Sequence, residues 1–108
     1  MGKKETLISD QIRLELTKRG CKLFRSQVGL FYTQYGQMIN IGVKGESDIR
    51  GHRISDGKAI YIEAKTPVGK ASEEQIKFIK AMKESNALAG FAHSVEEALE
   101  IVFPKNEE

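Results

Sequence analysis

The chain has 108 residues, 40% of them hydrophobic and 30% charged, the proportions of one small domain (residues 1–108) with a single core. Seventeen Lys and Arg against fifteen Asp and Glu give a net charge of +2, too mild to argue for a polyanionic partner by itself. Cys21 stands alone, which excludes an intramolecular disulfide. No Cys/His spacing reads as a zinc site, and neither a signal peptide nor a membrane-length apolar run is present. The expected location is a reducing cytoplasm, with no membrane partner.

Residues 4–19 predict an amphipathic helix. Leu7 or Ile8, Ile12, Leu14 or Glu15, and Leu16 fall near helical spacing, and Gly20 is a natural residue to follow the last turn. Lys18 and Arg19 favour the negative end of its dipole, and Glu5 the positive end. Cys21–Val28 predicts a first strand ended by Gly29. The aromatic and polar stretch from Phe31 to Gly36 has no firm assignment, and Met38–Val43 predicts a short strand or an ordered loop. Asp48–Ile54 predicts a strand after a turn at Gly45, and Ser55-Asp56-Gly57-Lys58 is a turn leading into a strand over 59–65.

After the Thr66–Gly69 loop, Ser72 reads as an N-cap with Gln75 completing a capping box. The helix it opens runs to about Glu84, with an apolar stripe of Ile76, Ile79 and Met82 beside Phe78. Leu88–Ala92 is a short strand, and Ser94-Val95-Glu96-Glu97 a second capping box, opening a helix to about Val102. The order α-β-β-β-α-β-α gives an α/β or α+β fold in which helices flank a central mixed sheet. The strand–helix–strand unit supplies its parallel pair.

Charge is spread unevenly along this order. Residues 1–58 hold eleven Lys and Arg against six acids, net +5, and residues 59–108 six against nine, net −3. A basic half can follow phosphates, although unevenly solvated charge is the commoner origin of so modest a split.

The chemistry concentrates in Ile60-Tyr61-Ile62-Glu63-Ala64-Lys65. On a strand, Glu63 and Lys65 point to one face and Ile60, Ile62 and Ala64 to the other. Charges in a core-forming strand cost stability unless they are paired or used. A hairpin through the 55–58 turn brings Asp48 next to Glu63. Two carboxylates and the backbone carbonyl of Ala64 are oxygen ligands suited to Mg2+ or Mn2+. A divalent ion there polarises a phosphoryl oxygen and activates water, while Lys65 neutralises charge on the phosphoryl oxygens. Alone, an acid-x-lysine pair in a strand is more often a structural edge feature. The ensemble changes that weighting.

The ensemble consists of Glu5-x-x-Ile8, Ile12-Arg13-Leu14, Gly20-Cys21, Phe24-Arg25, Val28-Gly29, Gly45-x-Ser47-Asp48, Ile62-Glu63-Ala64-Lys65-Thr66-Pro67-x-Gly69, Ser72-x-x-Gln75-x-x-Phe78-Ile79, Gly90-Phe91-Ala92 and Ser94-Val95-Glu96-Glu97-Ala98. Together these resemble a VRR-NUC domain of the PD-(D/E)XK nuclease superfamily, in the small stand-alone form found in bacteriophages. The resemblance covers nearly the whole chain. It implies a restriction-endonuclease-like core and a metal-dependent phosphodiesterase, in a phage case within the host bacterial cytoplasm. Asp48 and Glu63 would be the metal carboxylates, Lys65 the catalytic lysine, Glu5 the first-helix acid and Gln75 the glutamine opening the next helix. It also implies similarity to Holliday-junction resolvases, hence a homodimer acting on branched DNA. Ser47 stands where the superfamily has proline, a position that shapes the turn without coordinating.

Several assignments stay open at this level. Capping explains Gln75 without chemistry, and helix periodicity does not choose between Glu5 and Glu15. Arg25 and Lys70 are candidate DNA-phosphate contacts. His52 and His93 lack partners at ligand spacing, and the aromatics of residues 31–35 suit base stacking, a subunit contact or the core. The alternatives to a junction resolvase are a flap-type or restriction-like nuclease and a non-catalytic DNA-binding module of the same fold.

Overall fold

The computed structural model describes residues 3–26, 29–41 and 44–106. Its elements are α1 (Lys3–Lys18), β1 (Cys21–Arg25), β2 (Gly29–Tyr32), β3 (Met38–Ile41), β4 (Ile49–Arg53), β5 (Ala59–Ala64), α2 (Glu73–Glu84), β6 (Leu88–Ala92) and α3 (Val95–Val102). Four strands form a mixed sheet in the order β1-β4-β5-β6, antiparallel except for the parallel β5–β6 pair that α2 connects. Leaving aside the separate hairpin β2–β3, this is the expected α-β-β-β-α-β-α order, an α+β fold with a central mixed sheet.

The register explains which face is core. Ile49 pairs with Ile62 and Gly51 with Ile60, while Leu23 sits opposite Gly51 and Ala64 beside Ala92. These residues therefore share one face. α1 and α3 supply Ile12, Leu16, Ala98 and Val102 to the same buried cluster. Each fully buried Ile or Leu there contributes roughly 1.5–3 kcal/mol from loss of apolar surface to water. The other face carries Tyr61 and Glu63. Tyr61 meets Phe78 of α2 edge-to-face, with ring centroids 5.6 Å apart.

Helix geometry settles the alternatives in α1. Glu5, Ser9, Ile12 and Leu16 lie along one stripe at spacings of four, three and four. Ile12, Leu16 and Ser9 are buried, whereas Leu7 and Leu14, on the opposite side, are more than half exposed. In α2 the inward stripe is Gln75, Phe78, Ile79 and Met82. Ile76 lies about 100° round from Gln75 and is half exposed, so it does not join the stripe as expected. Gly20 adopts φ +95° where α1 ends.

Other boundaries differ in detail. β1 stops at Arg25, three residues before the expected end, and Val28 lies outside the described residues. β3 ends at Ile41; the predicted continuation through Val43 also lies outside them. The capping box at Ser72 forms in full. At Ser94 only half of the predicted box forms, because Glu97 accepts from the His93 backbone N–H instead of that of Ser94. Among the described residues no helix is long and apolar enough to cross a membrane.

The loop that delivers Asp48 is pressed against α2. A Cβ on Gly45 would lie 2.4 Å from the backbone of Glu74, and Gly45 has φ +84°. Both close approach and left-handed backbone require glycine there. Gly45→Ala is expected to lower stability by about 2 kcal/mol or more, read as a drop in the denaturant midpoint, because strain and clash add.

Candidate active site

β4 and β5 are adjacent antiparallel strands, and one step beyond the Ile49–Ile62 pair the register places Asp48 beside Glu63. Asp48 sits in the bend before β4, where the Ser47 hydroxyl donates to the Ile49 carbonyl at 2.9 Å and closes the turn. A serine does here by hydrogen bonding what a proline does by ring constraint. The Ala64 N–H donates to Asp48 Oδ1 at 3.0 Å. On a strand a residue's N–H and C=O point to the same side, so the Ala64 carbonyl also faces the Asp48 side. The next residue alternates, and the Lys65 N–H bonds the Ala92 carbonyl of β6 at 2.9 Å.

Asp48, Glu63 and Lys65 are 9%, 6% and 8% exposed, so three ionisable groups occupy the end of a buried strand pair. Gln75 reaches them from α2. Its Oε1 accepts the Ser72 N–H at 3.0 Å, which leaves Nε2 to donate to Glu63 Oε1 at 3.1 Å. The capping box thus fixes the amide so that its donor end meets Glu63. Lys65 Nζ donates to the Lys70 carbonyl at 3.3 Å. Lys70 therefore contributes its backbone to the site, while its side chain is exposed.

Each carboxylate is half satisfied. Asp48 Oδ1 and Glu63 Oε1 have protein donors, whereas Asp48 Oδ2 and Glu63 Oε2 are buried without a hydrogen-bond partner. Burial pushes the Glu63 carboxyl from an ordinary 4.5 up to about 7, reinforced by the Asp48 charge and only partly offset by Lys65. Burial also raises Asp48, against the pull of the Ala64 hydrogen bond, and repulsion from Glu5 adds to the rise. An unpaired buried acceptor costs about 1–3 kcal/mol, so a donor or cation meeting both oxygens would relieve that cost.

Glu5 and Glu15 part company here. Glu5 is half-buried and repels both Asp48 and Glu63. Glu15 pairs with Arg19 at 3.2 Å on the outer part of α1. Arg25, exposed at the end of β1, lies close enough to Asp48 to favour its charged form. His93 pairs with Glu97 at 2.8 Å, and His52 belongs to β4 opposite Ala59.

The donor set suits a hard divalent cation, with two carboxylate oxygens lacking donors and a backbone carbonyl on the same side. Among the described residues no group of three or more His, Cys, Asp or Glu converges. Two carboxylates with water filling the remainder is an ordinary Mg2+ shell. Ser26 is a member the sequence pattern does not single out. Its N–H donates to the Asp48 carbonyl at 3.0 Å and its hydroxyl is buried without a partner. A serine after a strand carries no signal of its own, because the contact depends on β1–β4 pairing.

No model of a known protein family matches the chain, and no curated protein matches it either.

Proposed function

We propose that the chain is a Mg2+- or Mn2+-dependent DNA endonuclease of the VRR-NUC kind that hydrolyses phosphodiester bonds in branched DNA. The observation that carries this reading is the pair of buried, donor-free oxygens on Asp48 and Glu63, with buried Lys65 two positions after Glu63. Acids with a purely structural role are normally met by protein donors on both oxygens. In this reading Asp48, Glu63 and the Ala64 carbonyl hold the cation, which when bound supplies Lewis-acid polarisation of the phosphoryl group.

The chain's own groups do the rest. Gln75 holds the Glu63 carboxylate in one orientation from the helix cap, so one oxygen stays free to coordinate. Lys65, restrained by the Lys70 carbonyl, presents an ammonium where negative charge grows on the phosphoryl oxygens in the transition state. Glu5 adds a third negative charge near the site, which raises its attraction for cations. Arg25 and the Lys70 ammonium are exposed beside it and suited to flanking phosphates.

Two such sites related by a two-fold axis suit paired nicks in the opposing strands of a four-way junction, so a homodimer resolving such junctions is the leading form of the proposal. A cleavage panel of labelled four-way junction, flap, duplex and single strand tests it. The expected result is cutting of the junction with Mg2+ or Mn2+ and none in chelator, from a protein that light scattering finds dimeric. Activity that persists in excess chelator removes the metal-dependent mechanism, and no cutting of any substrate with Mn2+ removes the enzyme reading. A monomer at micromolar concentration removes junction resolution.

A further inference from the structure

The segment that leaves the site at Ser26 returns to it at Gly45, and in between it forms the β2–β3 hairpin. The Ser26 N–H on the Asp48 carbonyl clamps the two roots together beside the carboxylates. β2 and β3 pair with each other and belong to no other sheet, so the hairpin is an arm growing out of the candidate active site. Four residues per strand give it a length of about 14 Å.

Its tip is tightly bonded. The Thr33 N–H donates to the Gln37 carbonyl at 2.8 Å and the Gly36 N–H to the Thr33 carbonyl at 2.9 Å. The Thr33 hydroxyl accepts from the N–H groups of Tyr35 and Gln37 at 3.2 and 3.1 Å. Around this turn the large apolar groups face water. Tyr35 is 82% exposed, Tyr32 66% and Met38 64%, and Tyr32 and Met38 are cross-strand partners on one face. Neither ring stacks on another aromatic ring among the described residues.

Charge identifies what such a surface meets. The thirty residues from Leu16 to Gly45 contain five Lys or Arg and no Asp or Glu, in a chain with fifteen acids. Arg25 and Lys44 flank the arm at its two roots, Lys44 with 84% of its side chain exposed beside Glu74. An acid-free, aromatic, hydrogen-bond-stiffened arm between cations matches bases joined by phosphates better than a protein surface, which carries charge of both signs.

We propose that the β2–β3 hairpin is a stacking platform for unpaired nucleotides, with Tyr32 and Tyr35 taking base faces while Arg25 and Lys44 track the adjoining phosphates. This rests on the nuclease reading for its substrate and names the feature recognised, which is unstacked bases at a branch. Stacking uses the π-face that every base has, so the platform is indifferent to sequence and sensitive to strandedness.

The chain has no Trp, so Tyr35→Trp in an Asp48→Asn background creates a single reporter at the tip. Its emission is expected to fall on addition of a (dT)20 single strand or a four-way junction, and to hold with a blunt duplex. Tyr35→Ala in the same background should weaken binding to (dT)20 and junction roughly tenfold, with duplex changed less than about twofold, and Tyr35→Phe should restore it. Unquenched emission with equal affinities for Tyr35→Ala and parent overturns the platform. Equal weakening on duplex does so too, and conversion of a dimer to a monomer by Tyr35→Ala assigns the ring to a subunit contact instead. The two readings separate cleanly. Quenching by (dT)20 without cleavage by the parent leaves the platform and removes the enzyme. Junction cutting with Tyr35→Ala fully active and binding as the parent does the reverse.

Discussion

Asp48→Asn and Lys65→Met are each expected to reduce phosphodiester cleavage by roughly a hundredfold to a thousandfold, while the chain stays folded and still binds DNA. Asparagine keeps the volume of Asp48 and the acceptor oxygen that the Ala64 N–H uses, so the turn before β4 survives. What it loses is the negative charge on the donor-free side of the carboxylate. Methionine keeps the buried stem of Lys65 and removes the ammonium, a loss of transition-state charge stabilisation worth about 10²–10³ in rate for a single oriented donor. Asp48→Asn carries a second expectation that a structural role for the acid contradicts. Without divalent cation at pH 8 it should melt at or above the parent temperature, because it removes one of two like charges buried side by side. Cleavage by either variant within tenfold of the parent sinks the assignment of roles, and so does a large fall in the melting temperature of Asp48→Asn.

The elements that carry these residues were legible because local rules and tertiary demand agree. Leu88–Ala92 and the Ser72 cap emerged as predicted, since a short apolar run between turns and a serine three residues before glutamine each have one good solution. The Asp48–Glu63 neighbourhood was legible from the 55–58 turn, because a hairpin fixes register. Polarity alone points the α2 stripe through Ile76, which is half exposed. Gln75 occupies the inward position, drawn there by Glu63, and Ile76 is turned outward. The hairpin was not legible as a paired unit. Its residues 31–36 lack alternation, and the turn is stabilised by the Thr33 side chain instead of an Asn-Gly or Asp-Gly pair. The contact of Gln75 with Glu63 needed the tertiary structure, since a capping glutamine has one donor end left over and the sequence does not say what it meets.

The acid pair also fixes how stability responds to pH and to cations. The Glu63 carboxyl titrates near 7 in the folded chain against an ordinary 4.5. Between those values the folded state holds a proton that the unfolded state has released, so stability is fully present below about pH 4.5 and is lost as pH rises through 7. The groups around Glu63 act together on it: Asp48 and Glu5 repel its charge and Lys65 attracts it, while Gln75 donates a hydrogen bond. Asp48 is shifted in the same direction and adds to the slope. Asp56, Glu74 and Glu97 are held below their ordinary values by His, Lys or Arg and backbone partners, and oppose the trend only at lower pH. After allowance for screening by nearby water, the loss between pH 5.5 and 8 is about 1–2 kcal/mol, or roughly 5–10 °C in Tm for a domain of this size. A divalent cation held by the acid pair would compete with that proton. Mg2+ or Mn2+ is therefore expected to raise the Tm by several degrees at pH 8 and hardly at all at pH 5.5, a difference scanning calorimetry reads without any substrate. Glu63→Gln should flatten the pH dependence of the cation-free protein and remove the response to added metal. A Tm equally responsive in Glu63→Gln and parent places the cation elsewhere. A parent with no response at pH 8 leaves the two orphaned oxygens to DNA-independent strain and takes the metal out of the site.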